Sequence, residues 1–174
     1  MTGKGRIHIY YGFGKGKTTA AVGQIIRAAG YGLNILMFQY LKNNDSNERK
    51  ILEQIPNITC LPGREVHKFV NQMNKDEKAE LKHYNTKALD EIIKFCSPFD
   101  ILFLDEILDA VALGVLSEDK LISFLQHKPY GLEIIMTGHD ISERMLGMAD
   151  YATQMNKVKH PMDEGKIARE GIEY

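Results

Sequence analysis

The chain has 174 residues, enough for one domain with a sizeable buried core. With 44% hydrophobic and 26% charged residues it is not a disordered chain, and a net charge of −1 excludes bulk attraction to nucleic acid or acidic membranes. Two cysteines, Cys60 and Cys96, without Cys-x-x-Cys or clustered histidine spacing, argue against a disulfide framework or zinc site and for a reducing compartment.

The N-terminus passes from "MTGKGR" into "IHIYY" without an apolar leader, and no apolar run reaches the roughly 18 residues of a membrane span. A cytoplasmic location is expected. The first strand is predicted at 6–11, "RIHIYY". A glycine-rich stretch, "GFGKGKTT", follows it and opens a helix. There Val22, Ile25, Ile26 and Ala29 keep the i, i+3, i+4, i+7 rhythm of a packed face, and Gly30 suits the helix end. "NILMFQY" (34–40) and "NITCL" (57–61) read as the next strands, with Asp45 and Glu48 signalling a short helix between them. Asn74 and Glu77 form a capping pair for a long helix over 75–95, on which Leu81, Tyr84, Ala88, Ile92 and Phe95 share a face. "DILFLD" (100–105) is a fourth strand, and Ser117 with Glu118 and Asp119 opens another helix. "EIIMTG" (133–138) is a fifth strand, Asp140 and Glu143 announce a short helix, and "YATQM" (151–155) is a sixth strand. Several of these runs are continuously hydrophobic, as parallel strands buried on both faces should be. The alternation predicts one α/β domain over 1–174: three layers, P-loop NTPase-like, around a mostly parallel sheet.

The strict P-loop rule is Gly-x-x-x-x-Gly-Lys-[Ser/Thr]. Counting back from Gly16-Lys17-Thr18, the first glycine should stand at position 11, which is Tyr11; Gly12 comes one step late. The context is nevertheless right. Glycines between a buried strand and a helix let backbone N–H groups converge, the helix dipole adds positive potential, and Lys17 adds a full charge. Asp105 and Glu106 at the carboxyl end of a hydrophobic strand are the acids expected beside Mg²⁺, which takes one or two carboxylates with phosphate oxygens and water. These residues alone leave ATP use open between a kinase, a hydrolase and a nucleotide-dependent binding module or carrier. The sparse arginines argue against a kinase lid.

"GFGKGKTTAAVG" (12–23), with a lysine between two glycines and a doubled threonine, resembles the loop of the P-loop-type ATP:corrinoid adenosyltransferases, whose usual form is GNGKGKTTAA-G. The similarity continues through "RAAGYG" (27–32), "FQYLK" (38–42), "LFLDEI" (102–107), "IMTGHD" (135–140) and the tail from Ala149 to Tyr174. The shortened glycine spacing is a mark of that family. The resemblance implies transfer of the 5′-deoxyadenosyl group of ATP to the Co(I) of a reduced corrinoid with release of tripolyphosphate. It also implies ATP lying reversed in the loop relative to ordinary P-loop enzymes, Mg²⁺ as cofactor, a reductase or flavodoxin as electron donor, and a homodimer. Carried over residue by residue, Gly12, Phe13, Gly14, Lys15, Gly16, Lys17, Thr18 and Thr19 form the ATP loop, and Arg27 and His139 are nucleotide contacts. Lys17 and Glu106 take the catalytic roles, and Thr18, Glu106 and Asp105 surround Mg²⁺.

This chain departs from the family pattern at three points. His139 stands where the family has arginine, Phe13 where it has a polar residue, and Gln154 where it has glutamate. For the corrinoid, "LPGREVHKFVN" (61–71) offers Val66 and Phe69 in place of the aromatic residues some members use; His67 is read as solvated or hydrogen-bonded rather than as a cobalt ligand. His160 is read as a structural hydrogen-bonding group that holds the tail over the nucleotide. Met136, Met145, Met148 and Met155 are read as core or pocket filler.

Overall fold

The computed structural model describes residues 3–65 and 67–173. Six strands form one sheet, β1 (Ile7–Tyr11), β2 (Ile35–Gln39), β3 (Ile58–Cys60), β4 (Ile101–Asp105), β5 (Glu133–Thr137) and β6 (Tyr151–Gln154). They lie in the order β3-β2-β4-β5-β1-β6, and every pairing is parallel. The helices are α1 (Lys17–Tyr31), α2 (Asn47–Leu52), α3 (Lys75–Phe95), α4 (Ile107–Ala112), α5 (Glu118–His127) and α6 (Glu143–Leu146).

Alternation within the strands splits the core in two, because successive side chains point to opposite faces. Ile35, Met37, Ile101, Phe103 and Ile135 meet Ala21 and Ile25 of α1 and Leu52 of α2. Leu36, Phe38, Leu102, Leu104, Ile134 and Met136 meet α3, α4 and α5 on the other side. β2 and β4 are buried at every position, which is why their sequences run hydrophobic without a polar break. β6 is exposed along its length and closes the edge beside β1.

Local signals account for most boundaries. Asn74 Oδ1 accepts from Glu77 N at 2.9 Å while Glu77 Oε2 accepts from Asn74 N at 2.8 Å, a complete capping box that starts α3. Ser117 caps α5 through Lys120 N. α1 runs past Gly30 to end at Gly32, whose φ of +99° takes the left-handed turn that the last carbonyls need. α2 starts after Ser46 and α6 after Ser142, so Asp45 and Asp140 lie outside the caps while Glu48 and Glu143 fall within the first turns. Two apolar residues assigned to packed faces are exposed: Ile26, and Phe95 at the very end of α3. The α3 face is instead Leu81, Asn85, Leu89 and Ile92, with Asn85 satisfied by donating to the Val115 carbonyl at 3.1 Å. Helix α4 is an addition to the sequence reading, which placed no element between the "LDE" acids and Ser117.

Parallel strands bring all their carboxyl ends to one side. The loops after β1, β2, β4 and β5 and the tail after β6 therefore gather there, where ligands bind in such sheets.

Candidate functional site

The loop from Gly12 to Gly16 leaves β1 and enters α1 in a conformation that only glycine suits. Gly12 and Gly16 have φ of +107° and +109°. A Cβ on Gly12 would stand 2.5 Å, and one on Gly14 2.7 Å, from the Met155 carbonyl oxygen, so the chain leaving β6 presses directly on the loop. The amides of Gly12 and Gly14 donate to His139 O (2.9 Å) and Met155 O (2.7 Å). They anchor the loop to the ends of β5 and β6. The first intrahelical bond of α1 runs from Ala20 N to Gly16 O at 2.8 Å, which leaves the amides of Lys17, Thr18 and Thr19 without an intrahelical acceptor. Such amides, at the positive end of a 15-residue helix, suit an anion. Lys17 folds back so that Nζ donates to Gly14 O at 3.1 Å. Burial holds its pKa below the ordinary lysine value, with Asp109, Glu106 and Asp105 pulling the other way.

Asp105 ends β4 with no exposed surface. Its Oδ1 accepts from the hydroxyls of Thr18 (2.8 Å) and Thr137 (2.7 Å), and its Oδ2 from Lys42 Nζ (2.7 Å) and Gln39 Nε2 (3.2 Å). Burial pushes the carboxyl up, but Lys42 and the two threonines outweigh it and hold the group below the usual carboxylate range. Glu106 is the next residue. Its φ of +56° is left-handed, a conformation that costs a non-glycine residue on the order of 1 kcal/mol or more. Its amide donates to Thr137 Oγ1 at 2.8 Å, and its carboxylate lies 3.6 Å from Lys42 Nζ. Burial pushes this carboxyl up to about 7; Lys42 opposes the rise, and Asp105 and Asp109 add to it. Among the described residues no three His, Cys, Asp or Glu side chains converge as an all-protein metal site. Thr18 with one or two carboxylates is the donor set that Mg²⁺ uses when phosphate oxygens complete its shell.

Beside the loop, Asp109 Oδ1 accepts from both His139 N and His139 Nδ1 at 3.0 Å, so the imidazole is fixed with Nε2 left free. The His139 and Phe13 rings stand 5.6 Å apart and tilted. Two of the departures from the family pattern, one in the loop and one after β5, thus stand side by side. A cavity of about 1020 Å³ lies between this wall and the tail, lined by Phe13, Lys15, Lys17 and His139 on one side and by Met162 and Arg169 on the other. That is room for a nucleotide and more. The tail carboxylate Glu173 accepts from Lys15 Nζ at 3.2 Å and from the Arg169 guanidinium. His160 Nδ1 accepts from Met162 N at 3.2 Å, which caps the short turn Pro161–Glu164 of the tail.

The structure gathers Gly12, Phe13, Gly14, Lys15, Gly16, Lys17, Thr18, Asp105, Glu106 and His139 at one end of the sheet. Thr19 is exposed on the first turn of α1. Arg27 is exposed as well, ten residues beyond Lys17 on the same helix, which is about 15 Å along the axis. Phe69 is exposed on the chain leaving β3, the strand at the opposite edge from β6, and it lines no part of the cavity. Val66 lies outside the described residues. His67 is exposed, 3.6 Å from Glu65. Lys42, Asp109 and Glu48 belong to the site and were not read as site residues from the sequence, where Glu48 served only as a helix start signal. Lys42 closes the "FQYLK" motif, the one signal that it is more than a loop lysine.

A family model described as "ATP:corrinoid adenosyltransferase BtuR/CobO/CobP" matches residues 3–174. The corrinoid adenosyltransferase of Escherichia coli strain K12 is 31% identical over 178 residues, covering 98% of this chain and 86% of that protein. Corrinoid adenosyltransferase CobA of Salmonella typhimurium is 31% identical over 177 residues with the same coverage. Among solved structures, EssC (ATPases 2 and 3) from Geobacillus thermodenitrificans aligns with a TM-score of 0.53 at 19% identity. It covers 96% of this chain and 35% of that one, a likeness of fold alone.

Proposed function

The chain belongs to the BtuR/CobO/CobP family of ATP:corrinoid adenosyltransferases, and on that premise we propose how its own residues divide the reaction. The Co(I) of a reduced corrinoid attacks C5′ of ATP. The cobalt–carbon bond forms as the C5′–O5′ bond breaks, and the electron pair leaves with tripolyphosphate. No proton moves, so no general base is needed. The work left to the protein is alignment and stabilisation of a departing polyanion.

Lys17 and the amides of Lys17, Thr18 and Thr19 receive the phosphates, and Lys15 turns to them from Glu173. Thr18 and Glu106 would hold Mg²⁺, which would supply charge neutralisation on the phosphates. Asp105, with all four of its lone-pair directions engaged by Thr18, Thr137, Lys42 and Gln39, orients Thr18 from behind. His139, fixed by Asp109, and Phe13 form the wall against the nucleoside. The observation that carries this reading is the cavity at the loop, lined by Lys15, Lys17 and His139 and bounded by the tail. Phe69 stays a corrinoid contact by resemblance. So do a reductase or flavodoxin that supplies the electron and a second copy of the chain as partner. The free thiols of Cys60 and Cys96 agree with a cytoplasmic setting. No helix among the described residues is long and apolar enough to cross a membrane.

Incubation with ATP, Mg²⁺ and chemically reduced corrinoid should yield tripolyphosphate and a light-sensitive cobalt–carbon chromophore. Formation of ADP and a phosphorylated acceptor would overturn the reading in favour of a kinase. Lys17→Ala should lower kcat/KM by about 10²–10³, the usual loss when one preorganised donor to a developing anion is removed.

A further inference from the structure

The acids of the site already face a cation that the chain itself provides. Lys42 Nζ lies 2.7 Å from Asp105 Oδ2, 3.5 Å from Thr18 Oγ1, 3.6 Å from Glu106 Oε1 and 3.7 Å from Glu48 Oε1. These partners come from α1, α2, the end of β4 and the turn into α4. One ammonium therefore ties together four elements and three carboxylates. A lysine in the loop after a strand ordinarily reaches into solvent, yet this side chain is only 24% exposed. The backbone is bent to put it there. Among the described residues, only Leu41 and Glu106 are non-glycine positions with positive φ, both +56°. One immediately precedes the lysine and the other is one of its partners. Strain confined to the two sides of a single ion pair points to a functional constraint on that pair. Burial lowers the Lys42 pKa, but Asp105, Glu106 and Glu48 outweigh it, so the side chain stays charged across the physiological range.

A divalent cation arriving alone meets an ammonium already seated among its donors. It would have to share the carboxylates with that charge or displace it. A cation arriving with triphosphate brings oxygens of its own, and those oxygens offer the ammonium new partners. We propose that Lys42 is a positioning residue: it stands in for the metal in the nucleotide-free protein, keeps Asp105, Glu106 and Glu48 in place, and makes divalent-cation binding depend on nucleotide. The inference rests on the reading of Thr18 and Glu106 as metal contacts and goes beyond it to the order of loading.

Free Mn²⁺ measured by electron paramagnetic resonance, on the full chain without corrinoid and corrected by protein-free samples holding the same ATP, tests this independently of turnover. The wild type should bind Mn²⁺ at least tenfold more tightly with saturating ATP than without. Lys42→Met should bind Mn²⁺ without ATP at least tenfold more tightly than the wild type does, so that ATP adds little. Lys42→Arg should keep the wild-type coupling. A merely structural lysine would shift melting in the variant and leave the Mn²⁺ coupling intact, and that result would overturn the proposal while sparing the metal contacts. Absence of Mn²⁺ binding by the wild type with ATP would overturn the metal contacts, and the proposal with them. Should Lys42→Met not fold, Lys42→Gln read by melting temperature serves instead. Mn²⁺ alone should raise it by several degrees in that variant and leave the wild type unmoved; equal shifts would overturn the proposal.

Discussion

At Glu106 both the backbone and the carboxyl are kept from their preferred states. Its φ is left-handed, and burial raises its pKa from an ordinary 4.5 to about 7. A carboxyl raised on folding binds more protons in the folded chain than in the unfolded one. It therefore makes the folded state lose stability as pH climbs from about 4.5 to about 7, with no further loss above. In the metal-free, nucleotide-free protein, Glu106→Gln should flatten that part of the pH profile and be more stable than wild type at pH 8. The gain is at most about 3 kcal/mol, from about 1.4 kcal/mol for each pKa unit. Urea unfolding at pH 5 and pH 8 measures it, and identical slopes in the two proteins would refute the burial argument. Asp105 titrates below this window, because its folded value is depressed, and it does not disturb the comparison. At this scale the sequence was legible where a side chain sits in a local motif, as with Lys17, Thr18, Asp105 and Glu106. It was not legible where the role comes from across the fold. Lys42 reads as a solvated loop lysine until β2 is paired with β4 in register, Gln39 opposite Asp105. Asp109 gives no signal until Gly138, whose Cβ would strike Leu108 at 2.5 Å, allows the β5 loop to close on α4.

The elements were legible to the extent that burial is two-sided. β2, β4 and β5 are hydrophobic because both faces are covered, so their positions follow from composition. β6 has no buried residue, and its place comes from pairing with β1, His8 opposite Tyr151 through Tyr11 opposite Gln154. Helix α4 escaped detection because it is only six residues long, and within "LFLDEILDAVALGVL" the acids Asp105, Glu106 and Asp109 break the apolar runs too irregularly to separate a strand period from a helix period. The loop glycines are the reverse case, with a precise structural cause behind a familiar motif. Gly14 is needed because the Met155 carbonyl accepts its amide at 2.7 Å and leaves no room for a side chain. Gly14→Ala should push the end of β6 from the loop, lower stability by about 1–3 kcal/mol as overpacking does, and weaken ATP binding. Calorimetric melting with and without ATP reads both effects. Wild-type values in both would mean that loop and tail do not touch in solution.

Across the whole molecule, the sheet and its two helical layers carry both buried clusters, and the tail beyond β6 adds to neither. From Lys157 to Ile172 every residue but His160 is exposed, and none contributes to either core cluster. The segment is tied down by few contacts, chiefly Lys157 with Asp163 at 2.6 Å within itself and Glu173 with Lys15 at 3.2 Å across to the loop. Exposed ion pairs of this kind add little to global stability. Yet the same segment forms one side of the cavity, and Glu173 pairs with Lys15, the loop lysine proposed to turn to the phosphates. Stability and function therefore separate along the chain. A protein ending at Asn156 keeps the Met155 contacts to Tyr11 and Gly14 and should have an unfolding free energy within about 1 kcal/mol of the full chain, as expected for loss of exposed surface. Its affinity for ATP should nevertheless fall about tenfold or more, since losing the tail removes one wall of the cavity and leaves more solvent on the phosphates. Calorimetric titration of ATP into the two proteins, alongside their urea curves, distinguishes the cases. Equal affinity would make the tail a bystander, whereas collapse of the fold would show that the core reaches further along the chain than burial indicates.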